Sequence, residues 1–238
     1  MKGFSMKWLY ILCLSLIVFS VNAQTIIQNG VIYKRVGEYE VLVSSQGTYK
    51  ERVCLYKGNI HIPDSIIVND STLWVTDIGQ TFMFCKDLQT IHLPVGLTYI
   101  VSSAFVGCTS LHKMDIPKNV TRIYSSAFRN CISLRHITFP LGLIEIDDSA
   151  FEGCTHLMLI DLPASLTMIG DFAFGGCRGI QEIYIHSQDP PICCTKKTGL
   201  SVFTDIKRTI PVHIPKGKKE VYMNDANWKY FQNFIDDI

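Results

Sequence analysis

The sequence has no run of five or more lysine or arginine residues, and 21 acidic residues nearly balance its 22 basic ones. Proteins that bind nucleic acid or an anionic membrane surface through charge need a concentrated basic surface. The absence of such a run excludes an electrostatic role of this kind. We therefore expect no nucleic-acid partner.

Long apolar runs are absent after residue 23. At the start of the chain, Lys2 and Lys7 precede an apolar stretch over residues 8–21, and small residues follow up to Ala23. This order is typical of a secretory signal peptide, and the stretch is shorter than the roughly 20 residues of a membrane-spanning helix. We predict that residues 1–23 are removed on export. The mature chain would then be extracytoplasmic, secreted or at the cell surface, with no membrane span.

The most regular feature present is a repeat of 23 residues. The segment SAFVGCTSL at 103–111 returns as SAFRNCISL and SAFEGCTHL, each copy one period after the last. An L-x-x-L-x-L pattern follows in register, and this combination indicates a leucine-rich repeat. The repeating columns are Phe105, Phe128, Phe151 and Phe174; Pro94, Pro117, Pro140 and Pro163; and Cys85, Cys108, Cys131, Cys154 and Cys177.

Each repeat predicts one coil of a stacked structure. Its alternating apolar residues form a strand that pairs in parallel with the next coil at roughly 4.8 Å, and the proline ends the strand. A second apolar pair, such as Leu97 and Ile100, covers the core from the other side. The Ala-Phe pair opens a short helical or turn segment, and a tight or left-handed turn follows at Gly107. We predict a right-handed leucine-rich repeat solenoid with seven parallel strands over residues 58–215.

The cysteine column fits a small apolar filler at an inward position. Side chains of a parallel stack point the same way, so the five members cannot bridge one another. The column also lacks the short-spaced cysteine or histidine pairs of a zinc site. We therefore expect five free, buried thiols. For the adjacent Cys193 and Cys194, a bridge to Cys177 or Cys54 stays open.

The register breaks at both ends of the array, where exposed coils need caps. Residues 24–57 are β-rich, with a hairpin turn signal at Asn29-Gly30, and the insert at 65–79 resembles a hairpin-like excursion. The insert around 186–199 is expected to be a loop. Residues 216–238 predict a short helical cap followed by Trp228, Phe231 and Phe234. The predicted division is therefore a signal peptide at 1–23, a β-hairpin N-terminal cap at 24–57, the solenoid at 58–215 and a C-terminal cap at 216–238.

The motif AFxGCTSLxxIxLPxxLTxIG, seen at 104–123 and again at 150–170, resembles the BspA-like leucine-rich repeats. The flanking segments GNIHIPDSI and HIPKGKKEVYMNDANWKYFQNF are similar to those of the same family. The first coil departs from the motif, with Thr81-Phe82 in place of Ala-Phe and Phe84 in place of glycine. The resemblance implies a secreted or surface protein of host-associated bacteria, adhesin-like in some members. It implies no catalytic residues and no cofactor.

The residues free to bind a partner are those between the core positions of the strands. A patch on the middle rungs mixes apolar and polar side chains, as protein interfaces do, and we predict it binds a protein or host-surface ligand. The patch consists of Arg135, His136, Met158, Leu159, Asp161 and Tyr184. The two outward rows are His92, Asp115, Thr138, Asp161 and Tyr184, and Thr90, Lys113, His136, Leu159 and Glu182.

Other functions have weaker support. Asp115 and Asp161 would lie two rungs apart, roughly 10 Å, near the carboxylate separation of inverting glycosidases. Lys113 beside Asp115 instead favours charges that solvate the face, so no enzyme is expected. The histidines fall at different coil positions, which predicts no metal site. A glycan ligand is possible but would need a platform of exposed aromatic residues; the ladder offers Tyr184, while Tyr99 and Tyr124 belong to another face.

Overall fold

Each coil contributes one strand to each of two parallel ladders, and turns complete the coil. The structure, a computed structural model, describes residues 25–44, 54, 56–194 and 202–238, so the predicted signal peptide lies outside the described residues. The described strands are β1 (Thr25–Gln28), β2 (Val31–Arg35), β3 (Glu40–Ser44), β4 (Gly58–His61), β5 (Ser65–Val68), β6 (Ser71–Asp77), β7 (Leu88–His92), β8 (Tyr99–Ile100), β9 (Lys113–Asp115), β10 (Arg122–Ile123), β11 (His136–Thr138), β12 (Glu145–Ile146), β13 (Leu159–Leu162), β14 (Met168–Gly170), β15 (Glu182–Ile185), β16 (Ile192–Cys194), β17 (Pro211–Ile214) and β18 (Asn233–Asp236), and the described helix is α1 (Lys219–Asn224).

The first ladder contains the seven predicted strands in the predicted register. They are β4, β7, β9, β11, β13, β15 and β17, and Asp115 lies opposite Thr138 while Asp161 lies opposite Tyr184. Strand pairing is interrupted between β7 and β9 and between β11 and β13. A backbone hydrogen bond still joins neighbouring coils there, as between the Met158 N–H and the Arg135 carbonyl at 3.3 Å.

The predicted number of ladder strands was wrong, because β18 adds an eighth. It pairs in parallel with β17, with Phe234 opposite Val212. The inward Phe234 is buried beneath the ladder like the core residues of the repeats. The strand lies outside the 23-residue period, so the repeat pattern could not reveal it.

The second ladder consists of β8, β10, β12, β14 and β16, all parallel. Leu97 and Ile100 are buried beneath it, as the second apolar pair predicted. The loop predicted around Cys193 and Cys194 was wrong: both residues lie in β16, where Cys193 pairs with Ile169. The chain continues the ladder here because Cys193 supplies the inward apolar position that isoleucine fills in earlier coils.

Turns rather than helices link the second ladder to the next strand, and the described helix lies outside the repeats. The amide N–H of Phe128 donates to the carbonyl of Ala150 in the next coil at 2.7 Å, and Phe105 and Phe151 repeat this bond. The left-handed conformation predicted at Gly107 is present, with φ +69. Phe84 has φ +60 in the first coil, so the departure from the motif preserves the turn.

A column of six phenylalanine rings runs through the core. Successive rings stack at 5.1–5.9 Å with interplanar angles of 3–9°, and each ring is fully buried. Tyr56 packs on the first ring at 5.1 Å, and Trp228 packs on the last at 5.1 Å. The column is Phe82, Phe105, Phe128, Phe151, Phe174 and Phe203.

The N-terminal residues form a five-stranded sheet in the order β1-β2-β3-β6-β5. The Asn29-Gly30 turn joins β1 to β2, and both residues have positive φ, +51 and +75, as the hairpin signal predicted. The excursion at 65–79 is also a hairpin, in which β5 pairs antiparallel with β6. The sheet arises because β3 pairs in parallel with β6, a contact between segments far apart in the sequence.

Four members of the cysteine column are free and buried, and each thiol donates a hydrogen bond. Cys131 Sγ lies 3.1 Å from the Phe105 carbonyl oxygen of the preceding coil, and Cys108, Cys154 and Cys177 make the same bond at 3.0–3.2 Å. Burial raises the pKa of the Cys131 thiol well above its ordinary value, so it stays a neutral donor. The column is thus a row of hydrogen bonds as well as apolar filler.

The prediction of a free Cys85 was wrong, because Cys85 forms a disulfide with Cys54. Their Cα atoms lie 4.9 Å apart. Column members point the same way and cannot bridge one another, but Cys85 belongs to the first complete coil. A residue outside the repeat, Cys54, can therefore approach it from the N-terminal side.

Phe151→Ala should lower the free energy of unfolding by about 3–5 kcal/mol, because it removes a central ring and leaves a cavity in a continuous core. Urea denaturation of both proteins measures the difference. Leu141→Ala is the matched control, since Leu141 is 89% exposed and should change stability by less than about 0.5 kcal/mol. A loss below about 1 kcal/mol for Phe151→Ala would contradict the column.

Cys108, Cys131, Cys154 and Cys177 should resist a thiol reagent in the folded protein and react after denaturation, because they are buried. Cys54 and Cys85 should react only after reduction. Peptide mapping of differentially alkylated protein distinguishes the two groups. A mapped bridge between two of the four, or alkylation of Cys85 without reductant, would refute this assignment.

Candidate binding surface on the strand ladder

The structure brings the six predicted binding residues together on three neighbouring rungs of the first ladder. They lie in β11, β13 and β15 or directly before these strands. Met158 and Leu159 are 36% and 39% exposed, so the apolar centre of the patch faces solvent. The polar members are exposed or partly exposed: Arg135, His136, Asp161 and Tyr184.

Tyr184 is the most constrained side chain of this patch. Its ring stacks on His213 of the next rung, with centroids 4.2 Å apart and an interplanar angle of 5°. Its hydroxyl donates to Glu182 Oε2 at 3.1 Å. His213 Nδ1 in turn lies 2.9 Å from Asp237 Oδ1. The ring is therefore fixed in place before any partner binds.

Carboxylates surround the Tyr184 ring. The hydrogen bond to Glu182 raises the pKa of Tyr184 above its ordinary value, with smaller contributions from partial burial and from the charges of Glu182, Asp237 and Asp161. Asp161 Oδ1 also lies 2.8 Å from His186 Nε2. The phenol therefore stays neutral and keeps its hydroxyl as a donor.

His213 and Asp237 lie beside Tyr184 but were not among the predicted patch residues. His213 continues the outward row that runs through Asp161 and Tyr184. The sequence VHIP at 212–215, an alternating strand followed by proline, could have shown this continuation. Asp237 follows β18, the strand that the repeat pattern does not contain, so no sequence signal placed it here.

Side chains on the N-terminal half of the same face bind one another. Lys113 Nζ lies 2.9 Å from Asp115 Oδ2, and Thr138 Oγ1 donates to Asp115 Oδ1 at 2.9 Å. Partial burial acts to raise the pKa of Asp115, but the hydrogen bonds from Lys113 and Thr138, with the nearby positive charge, lower it on balance. A general acid needs a raised pKa, so Asp115 is poorly suited to act as a general acid.

Tyr99 and Tyr124 lie on the second ladder, away from the patch, as predicted. Their rings meet edge to face at 5.8 Å. The Arg122 guanidinium lies 4.6 Å from the centre of the Tyr124 ring and pairs with Glu145 and Asp147, each at 3.0 Å. The aromatic and charged groups of this face therefore already contact one another.

The N-terminal sheet exposes two aromatic residues that the sequence analysis did not single out. Trp74 is 54% exposed and Tyr39 is 57% exposed. Glu40 and Ser65 flank Trp74 on the neighbouring strands. Alternation in β6 could have revealed Trp74, because Leu73 and Val75 on either side of it point inward.

The repeats also match a known family in sequence. The model of the BspA type leucine rich repeat region matches residues 76–192 in six copies. Residues 76–192 belong to the BspA-type leucine-rich repeats. Leucine-rich repeat proteins present extended faces to binding partners, and members of this repeat family are generally binding proteins without catalytic activity. No curated protein matches the chain.

Two solved structures resemble this BspA-type protein. A leucine rich cell surface protein of Faecalibacterium prausnitzii A2-165 is 22% identical, with a TM-score of 0.57, and the match covers 81% of this chain and 48% of that one. A leucine rich repeat protein of T. pallidum is 22% identical, with a TM-score of 0.56, covering 82% of this chain and 86% of that one. The chain thus spans about half the length of the Faecalibacterium protein, and the likeness establishes the fold.

Membrane-spanning helices and clusters of metal ligands are both absent from the part of the chain that the structure describes. No helix in residues 25–44, 56–194 and 202–238 is long and apolar enough to cross a membrane. Over the same part of the chain, no three histidine, cysteine, aspartate or glutamate side chains converge as metal ligands.

Lys113→Ala should raise the pKa of Asp115, because the variant removes the hydrogen bond and charge that lower it. A pH titration of the Asp115 carboxyl carbon by NMR measures the shift. Lys118→Ala, a change at an exposed lysine outside the ladder strands, should leave that pKa unchanged. An unaltered Asp115 pKa in Lys113→Ala would disprove the assigned cause.

Proposed function

We propose that the protein is exported, remains at the cell surface or is secreted, and binds a protein or host-surface partner through the ladder patch, with adhesion as the outcome. The observation that carries this proposal is the fixed arrangement of Tyr184 beside the exposed Met158 and Leu159. The proposal includes removal of residues 1–23, right-handed coils over 58–215, and caps at 24–57 and 216–238. The Faecalibacterium fold neighbour is itself a cell surface protein, which agrees with this location.

The composition of the patch supports a protein partner. Interfaces combine an apolar centre with a polar rim, and tyrosine and arginine supply much of their binding energy. The patch has Met158 and Leu159 at its centre and Arg135 and Tyr184 at its edges. Eight rungs at roughly 4.8 Å give a face about 34 Å long, large enough for a folded domain.

A glycan partner is the second candidate, and Trp74 favours it. Aromatic side chains present a flat apolar body with hydrogen-bonding groups nearby, and Glu40 and Ser65 lie on either side of Trp74. This platform lies on the N-terminal sheet rather than on the ladder. The two candidates can therefore be separated by mutation.

Labelled protein applied to arrays of extracellular matrix proteins and of glycans should identify a protein partner. Arg135→Ala and Tyr184→Ala should each weaken that partner by at least about 1 kcal/mol, about fivefold in Kd, because both remove exposed anchors. Surface plasmon resonance measures the change. The melting temperature should be nearly unchanged, because neither residue belongs to the buried core.

Tyr99→Ala and Tyr124→Ala are the matched controls and should leave binding intact, because their rings lie on the second ladder. Equal losses from both faces would mean that the wrong surface has been chosen. Binding to glycans alone, abolished by Trp74→Ala and unaffected by Tyr184→Ala, would support the glycan candidate instead.

A further inference from the structure

We infer that the C-terminal part of the ladder face binds a cationic side chain of a protein partner, arginine by preference. This rests on the proposed function and names the chemistry that the partner must present. The residues concerned, called the Tyr184 cluster below, are Asp161, Glu182, Tyr184, His213 and Asp237.

Among the residues that the structure describes, no lysine or arginine pairs with a carboxylate of the Tyr184 cluster. Glu182 accepts from the Tyr184 hydroxyl, while Asp161 and Asp237 pair with histidines, which are charged only when protonated. Among the described residues, the ion pairs made by lysine or arginine all lie outside the cluster: Lys113–Asp115, Arg122–Glu145, Arg122–Asp147, Arg129–Glu152 and Arg178–Asp205.

Three carboxylates lie near one ring, and a cation bound there would be attracted to all three. The three are close enough for their charges to act on the Tyr184 phenol. Asp161 and Asp237 are about half exposed, at 57% and 48% of their side chains. A positive group arriving from solvent can therefore reach them, and this charge complementarity selects a cationic partner.

The stacked ring favours arginine over other cations. His213 covers one face of Tyr184, so the opposite face is turned toward the rung of Asp161. A guanidinium group stacks on a tyrosine face and donates two parallel hydrogen bonds to a carboxylate. An arginine lying on Tyr184 could make both contacts at once, whereas the ammonium group of lysine lacks the planar shape.

The neighbouring apolar residues suit the rest of the arginine side chain. Arginine buries its methylene stem along apolar surface while its head group stays polar. Leu159 lies directly opposite Glu182 on the adjacent rung, and Met158 precedes it; both are exposed. The cluster and these two residues thus form one continuous surface for an arginine-bearing segment.

The test uses the full mature chain and a synthetic glycine–arginine repeat peptide, with a citrulline version of the same peptide as the matched probe. Citrulline keeps the shape of arginine and removes its charge. We expect the arginine peptide to bind at least about tenfold more tightly by isothermal titration calorimetry, and to weaken as salt is raised because exposed charges are screened. A lysine version should bind with intermediate affinity.

Tyr184→Ala and the double variant Asp161→Asn, Glu182→Gln should each lower affinity for the arginine peptide by about fivefold or more. Glu220→Gln, a change of the same chemical type on α1, should not. Circular dichroism confirms that each variant is folded. Equal binding of the arginine and citrulline peptides, or undiminished binding by Tyr184→Ala, would overturn the inference.

Binding of a protein identified on the arrays distinguishes failure of this inference from failure of the proposed function. If Tyr184→Ala weakens that partner but the arginine peptide does not bind, the ladder face is a binding surface and arginine is not its ligand. A neutral oligosaccharide that binds at the Tyr184 cluster in place of the arginine peptide would assign the cluster to glycans and overturn the inference.

Discussion

The structure depends on one constraint, which is that every coil must place a phenylalanine ring directly over the ring of the coil before it. That spacing also places each column thiol within hydrogen-bonding distance of the preceding phenylalanine carbonyl. It likewise aligns the turn amides with the carbonyls of the following coil. A residue that disturbed one ring would therefore disturb the side-chain stack and the backbone bonds together. The regular rows on the outer face follow from this regular interior.

Features that obey the 23-residue period or carry a local turn signal, such as Asn29-Gly30, could be predicted from the sequence. Single contacts between distant segments could not. The buried Phe151, the left-handed turn at Gly107 and the pairing of Asp161 with Tyr184 all follow from the repeat. The bridge from Cys54 to Cys85 and the pairing of β18 with β17 depend on contacts that occur once. Periodicity carries no information about a single contact. For this reason the candidate patch was found without Asp237.

The two halves of the ladder face differ in how their charges are used. Around Asp115, a lysine and a threonine already meet the carboxylate, so that half is electrostatically self-contained. Around Tyr184, the carboxylates have histidine or hydroxyl partners. Within a few rungs, the same backbone therefore carries a carboxylate paired with lysine and carboxylates paired with histidine or a hydroxyl. Specialisation of this kind needs no change to the fold, because the outward positions are not used by the core.

The Cys54–Cys85 disulfide and the four buried thiols of the cysteine column together constrain the order of folding and oxidation. In an unfolded chain every cysteine is open to oxidation, and wrong pairs outnumber the right one. The native pairing then requires the repeats to close over their thiols before an oxidant reaches them. Cys54 precedes the repeats in the chain, and its partner Cys85 lies in the first complete coil, so correct oxidation can begin at the N-terminal end. Burial in the folded repeats would thus keep the four free column cysteines from oxidation.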